Sequence, residues 1–395
     1  MSEQRMGTAR SADARRGTIV RLGLIVLVTF GSAVFVWLSL HITQHAHAAT
    51  VTEVATTLEP QGVVQDGTNV WVAEPGCDLD ITSTCNSAFP GIIGKYSMAN
   101  PSATHTDFTE PGDFSSPGFL AIDGQGNIWF TEPTTDAIGE LTPTGTGVWN
   151  QWGTVAGITA GSAPYNLAFD RNGNIWFTEA NRDAIGFFNT TTHQVVETTI
   201  KAGSDPDGML ADATGTMWFG EDNAGKLGSF TPTTTGVITV NDVKIGQVNP
   251  QMLSMDAQGN IWYSEGRNVA IGEYNTTTHA HADFSLASAV CPTLPCPTGT
   301  YGGGIAVNSN GLVWFDESNG SVGFLDPASK TITVSATVSS PSLGLIVDGN
   351  NTVWVTEKFA HRLAEIVPSV PPSPTPTAST TTTPTPQPNG FGPVS

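Results

Sequence analysis

Positive charge is what this chain has least of. Its 395 residues carry 15 Lys and Arg against 35 Asp and Glu, a formal net charge of −20. Five of those basic residues, Arg5, Arg10, Arg15, Arg16 and Arg21, lie in the first 21 positions. Beyond residue 48 the balance is ten basic against 33 acidic residues, a net −23. A surface so charged repels phosphate backbones, which excludes nucleic acid as a partner. Helical periodicity is missing after residue 49, which excludes helical bundles and alternating α/β folds. Cysteine is scarce too. Cys77, Cys85, Cys291 and Cys296 pair most simply as two local loops, 77 with 85 and 291 with 296, one of three connectivities. A metal site competes, but the histidines lie elsewhere and the spacings are not those of zinc modules.

Long apolar runs are limited to one. Residues 22–40, LGLIVLVTFGSAVFVWLSL, are uncharged and nearly all apolar. As a helix they would reach about 28 Å, close to a bilayer's hydrocarbon thickness. Ala46-His47-Ala48 offers an A-x-A cleavage pattern. Residues 1–48 therefore read as a signal peptide or an N-terminal membrane anchor, and both readings put the rest outside the cytoplasm. At the other end, 369–395 is Pro, Thr and Ser with little that is apolar, as expected of a stalk or disordered tail.

Between these ends one phrase repeats. It is clearest as DRNGNIWFTE from Asp170 to Glu179 and recurs at Asp123 to Glu132, Asp212 to Glu221 and Asp256 to Glu265. Looser copies end at Glu74, Glu317 and Glu357. Each copy places Glu three positions after Trp, at Trp71, Trp129, Trp176, Trp218, Trp262, Trp314 and Trp354. Their spacings of 58, 47, 42, 44, 52 and 40 residues mark a repeat architecture. Within the second copy, strand A (119–122) meets a D-x-x-G turn, then strand B (127–131). Strand C follows at Ile138-Gly139, and a Pro-Thr-Gly turn leads to strand D near Val148 to Trp152. Four antiparallel strands per repeat predict a propeller blade. The last copy lacks a strand D, and Val51 to Thr57 is a strand without a repeat. The two together predict a seven-bladed propeller of residues 49–368, closed by its N-terminal strand.

The phrase D-x-x-G-N-I-W-F-T-E, followed by I-G seven residues after its Glu, resembles the virginiamycin B lyase (streptogramin lyase) family. The resemblance spans 51–368. It implies a lyase that opens the ester ring of a cyclic depsipeptide by elimination, using histidine, glutamate and magnesium. In that family two neighbouring blades carry Pro-His at the start of strand A, and those histidines do the acid–base work. Here the position, 14 before each Glu, holds Gly118, Tyr165, Asp207, Gln251 and Gly303. His193 and His279 fall in C-to-D turns at the opposite mouth. Without an imidazole, elimination loses its acid and base.

The ends of strand B and the starts of strand A share one mouth, where seven glutamates gather. A carboxylate ring could hold a cation; a residue present in every blade is equally a backbone acceptor. A catalytic reading makes Asp207, Glu221 and Glu265 the base and the ligands of a divalent cation, magnesium or calcium. A gluconolactonase-like lactone hydrolase is a variant of it. A binding reading places Tyr165, Gln251, Arg182 and Arg267 around a small-molecule or peptide ligand, on a monomer that meets a membrane only through its first segment. The loops carrying Cys77–Cys85 and Cys291–Cys296 open on the same mouth and build up its rim.

Overall fold

In the computed structural model the described residues are 49–368, without 77–89, 112–115, 247, 292–295, 297–301 and 340–343. The expected apolar helix at 22–40, the tail at 369–395 and the Cys77–Cys85 pair lie outside them. Among the described residues, no helix is long and apolar enough to cross a membrane.

Seven four-stranded antiparallel sheets follow one another along the chain. Blade three shows the pattern: strand A Pro164–Phe169, B Ile175–Glu179, C Ala184–Asn189 and D Gln194–Thr199. Blade four runs Pro206–Ala211, Met217–Glu221, Lys226–Phe230 and Asn241–Lys244. Blade seven is assembled from both ends. Leu345–Val347, Val353–Glu357 and Arg362–Val367 are joined by Thr50–Ala55, with Thr50 opposite Val367 and Ala55 opposite Arg362. The predicted closure is therefore present, and it removes two open edges. A four-residue helix, Ala287–Val290, was not legible from the sequence.

The D-x-x-G aspartates do more than turn the chain. In blade three Asp170 Oδ1 accepts the amides of Asn172 and Asn174 at 2.8 and 3.0 Å, which fixes the turn. Its Oδ2 accepts Trp176 Nε1 at 3.1 Å. The same indole bond runs to Asp66, Asp123, Asp212, Asp256 and Asp348. Blade six has Asn308 there; its amide goes to Asn351 Oδ1, and Trp314 Nε1 is left without a partner. Held in this way, each indole packs onto the following blade. Trp129 meets Phe169 and Phe188, Trp176 meets Phe230, and Trp218 meets Tyr274.

The recurring strand C glycine has a steric cause. Phe177 lies opposite Gly186, and a Cβ there would fall 2.1 Å from the ring. Gly139 under Phe130, Gly228 under Phe219 and Gly272 under Tyr263 repeat the arrangement. In blades two and seven the threonine before the glutamate ties neighbouring blades together. Thr131 Oγ1 accepts Phe119 N at 3.1 Å and donates to Tyr165 O in the next blade at 2.8 Å. Thr356 does the same between Gly344 N and Gln61 O across the seam, both at 2.9 Å.

Two substitutions test this packing. Gly186→Ala overfills the space beneath Phe177 and costs about 1–3 kcal/mol in denaturant unfolding. Thr131→Val leaves an amide and a carbonyl unpaired and costs about 1–3 kcal/mol, whereas Thr131→Ser stays near wild type. Equal stability of the Val and Ser variants would remove the role assigned to the hydroxyl.

Candidate functional site

At the glutamate mouth the inner strands are bulged. Pro206 lies opposite Glu221, but the next pair is Met209 with Phe219, so Asp207 and Gly208 together face the single residue Gly220. Blade three bulges between Pro164 and Leu167, blade five between Pro250 and Leu253, and blade six between Gly302 and Ile305. A bulge re-aims side chains and ends regular pairing. The positions that differ between blades, Tyr165, Asp207, Gln251 and Gly303, are thus the ones the backbone displaces.

Five of the seven glutamates common to the blades are engaged with neighbouring side chains or amides. Glu74 accepts Tyr96 Oη at 2.8 Å and the amides of Thr57 and Leu58 at 2.9 and 2.8 Å. Glu132 accepts the Gln151 amide from strand D. Glu221 accepts Ser204 Oγ at 2.8 Å, and Glu265 accepts Asn268 Nδ2 at 2.6 Å. Glu357 accepts Ser339 N at 2.6 Å. Glu179 faces Glu197, and Glu317 has neither oxygen paired. All seven are buried, and burial pushes every one of these carboxyls upward. Glu74 rises to about 7, and Glu132, Glu179 and Glu317 to about 8. Nearby acids add to burial: Glu110 for Glu132, Glu197 for Glu179 and Asp316 for Glu317.

The expected trio of Asp207, Glu221 and Glu265 does not come together. The charged neighbours of Glu221 are Asp242, Lys226 and Lys201, and that of Glu265 is Asp283. Asp207 instead faces Asp222 and Asp205. Among the described residues no group of three His, Cys, Asp or Glu could hold a metal ion.

What does assemble is a polar network between blades four and five. Asp207 is buried, and burial, then Asp222 and Asp205, raise its carboxyl well above the usual range while the Gln251 amide partly offsets them. Its Oδ1 has no hydrogen-bond partner. Gln251 packs on Gly266, where a Cβ would lie 3.0 Å from its Oε1. Next to it, Arg267 spans Asp222, at 3.2 Å, and Asn223. Asn223 Nδ2 donates to Asp205 Oδ2 at 2.7 Å, and Asn249 Nδ2 to Asp222 O at 2.6 Å. Asp205 is itself anchored, its amide donating to Asp183 Oδ1 at 2.8 Å.

Of the residues expected at this mouth, Asp207, Gln251 and Arg267 meet. Tyr165 lies one blade away with its ring 4.8 Å from Phe119. Arg182 is exposed at the end of the turn Ala180–Arg182, where its charge favours ionised Glu179. The sequence reading missed Asp222, Asn223 and Lys358. Their signal was the position after each glutamate: Pro75, Pro133, Ala180, Gly266 and Ser318 are uncharged, whereas Asp222 and Lys358 are not. Lys358 is buried. Cys291 and Cys296 are bridged, as expected, with Cα atoms 5.4 Å apart.

Fold and site define a seven-bladed β-propeller with one asymmetric polar mouth. The chain belongs to the virginiamycin B lyase family, whose profile matches residues 26–291. Among solved structures it is similar to selenomethionine-substituted virginiamycin B lyase from Staphylococcus aureus. That match has 22% identity and a TM-score of 0.66 and covers 81% of this chain and 99% of the other. A structure of streptogramin B lyase matches at 21% identity and TM-score 0.65, covering 80% of this chain and 97% of that one. A catalytically inactive His-to-Ala variant of the S. aureus enzyme, with quinupristin, matches at 22% and 0.65, covering 81% and 99%. At these identities the likeness establishes the fold. No curated protein matches the chain.

The raised glutamates set the pH dependence of stability. A folded pKa above the unfolded value means that the folded protein binds more protons between the two. Their contribution is complete below about pH 4.5, the unfolded value, and is lost as pH rises through 7 to 8, the folded values. The depressed Asp66, Asp123 and Asp212 act oppositely and lose their contribution only in strong acid. The melting temperature is therefore higher at about pH 5 than at about pH 8.5. A flat or rising profile across that window contradicts the burial assigned to the glutamates.

Proposed function

We propose that the protein is an exported or membrane-anchored propeller that binds a small-molecule or peptide ligand at the glutamate mouth, without the elimination chemistry of its relatives. The observation that carries this reading is the occupancy of the inner bulges. Asp207 and Gln251 stand there, in neighbouring blades, and no described bulge holds an imidazole. A buried, proton-retaining carboxyl beside a carboxamide makes a hydrogen-bonding surface. It does not supply the matched acid and base of an elimination near pH 7. Arg267, Asp222 and Asn223 give this rim fixed donors and acceptors, and Tyr165 and Arg182 extend it toward blade three. The apolar segment at 22–40 supports export or anchoring.

A second reading is a divergent lyase or lactone hydrolase with Asp207 as its proton carrier. The unpaired Oδ1 and raised pKa of Asp207 favour it. One experiment separates the two. Purified full-length protein is incubated with quinupristin, with magnesium or with EDTA, and the mixture is resolved by mass spectrometry. The binding reading predicts intact macrocycle under both conditions, and calorimetric binding weakened at least about tenfold by Gln251→Ala, or about 1.4 kcal/mol. A ring-opened product that disappears in Asp207→Ala overturns it.

A further inference from the structure

A cleft of about 510 Å3 lies on the flank of the ring, where strand D of blade two, Val148–Trp152, meets the C-to-D turn of blade three. It is separate from the network between blades four and five, and the proposed function does not use it. Its wall is a fixed aromatic stack. The Trp152 ring lies 5.4 Å from Trp129 at 16°, with Phe188 at 5.1 Å and His193 at 4.7 Å. Trp152 is half-buried and His193 exposed.

The opposite lip is a turn closed by Ala156 N donating to Gly153 O at 2.9 Å and tied to blade three by Val195 N donating to Ala156 O at 2.9 Å. That turn holds Val155 out at 99% exposure. An apolar side chain presented so fully on a braced loop is available for contact. Gln151, Thr154 and Gln194 supply amides and a hydroxyl along the rim.

Charge selects the ligand class. On a protein of net charge −20, the cleft is lined by no Asp, Glu, Lys or Arg. Ionic ligands find no carboxylate, ammonium or guanidinium partner there. A fully apolar ligand would strand the amides and hydroxyls, which is costly. The remaining class is neutral, with an apolar face to lay on rings and a girdle of hydroxyls to meet amides, as in a pyranose. We infer that the flank cleft between blades two and three, walled by Trp152, His193 and Val155, binds a neutral saccharide unit.

Saturation-transfer NMR on the full-length protein tests this with maltotriose, cellobiose and the trimer of N-acetylglucosamine, each at about 10 mM, above the roughly millimolar Kd of a single shallow site. The expected result is transfer from protein to at least one sugar, reduced at least about fivefold in His193→Ala and in Trp152→Phe. His193 is exposed, so the first variant keeps its fold, which unchanged far-UV circular dichroism verifies. Absence of transfer from all three sugars overturns the inference, and so does transfer undiminished in His193→Ala. A synthetic peptide of residues 369–395 is run in parallel. If that peptide alone shows His193-dependent transfer, the occupant is a proline-rich segment and the saccharide assignment is wrong.

Discussion

The bond from each turn carboxylate to the indole six residues later, or five in blade one, is the constraint on which the rest of the ring depends. One aspartate closes the A-to-B turn with one oxygen and holds tryptophan with the other. That couples turn geometry to the placement of the largest side chain in the blade. The indole then sets the distance to the next blade, since its far face packs on that blade's aromatics. Blade six departs from this rule with Asn308, and its tryptophan nitrogen is unpaired. The unpaired N–H carries a desolvation cost there, offset by the apolar packing of Trp314, which is fully buried within the cluster that spans blades six and seven.

Repetition made the frame legible in the sequence. Seven Trp-x-x-Glu phrases fix the number of blades, and the orphan strand near residue 51 predicts the seam. The glycines of strand C were legible as markers, though not by cause. Their role needed the knowledge that Phe177 crosses onto Gly186, a pairing set by register. The direction of the glutamates was not legible. Strand periodicity places Glu132 on the face of Phe130 but does not say whether it turns toward the axis or toward strand D. The Gln151 amide, brought close by pairing across strand C, decides in favour of strand D. Asp222 and Asn223 were missed for a related reason: they belong to a loop, whose contacts follow from its course and not from a period.

Identity and difference divide the labour at this mouth. Five of the seven carboxyls common to the blades hold a loop or a neighbouring strand. Side chains that vary, Asp207 and Gln251 above all, sit where a bulge frees them from the sheet. Glu221 and Glu265 each give one oxygen to a neighbour, Ser204 and Asn268, and keep the other without a partner. Asp207 is left with two acidic neighbours and one carboxamide. Arg267 offsets the acidity of this sector and bridges two loops, stiffening the rim.

The seam in blade seven has a consequence for biogenesis. Thr50–Ala55 pairs only with Arg362–Val367, so the earliest strand to be synthesised waits for the latest. A chain emerging in order would hold six completed blades with one unpaired strand until its final strand emerged. Assembly of the circle is then a single late event, and cutting the chain between those two strands leaves an open arc.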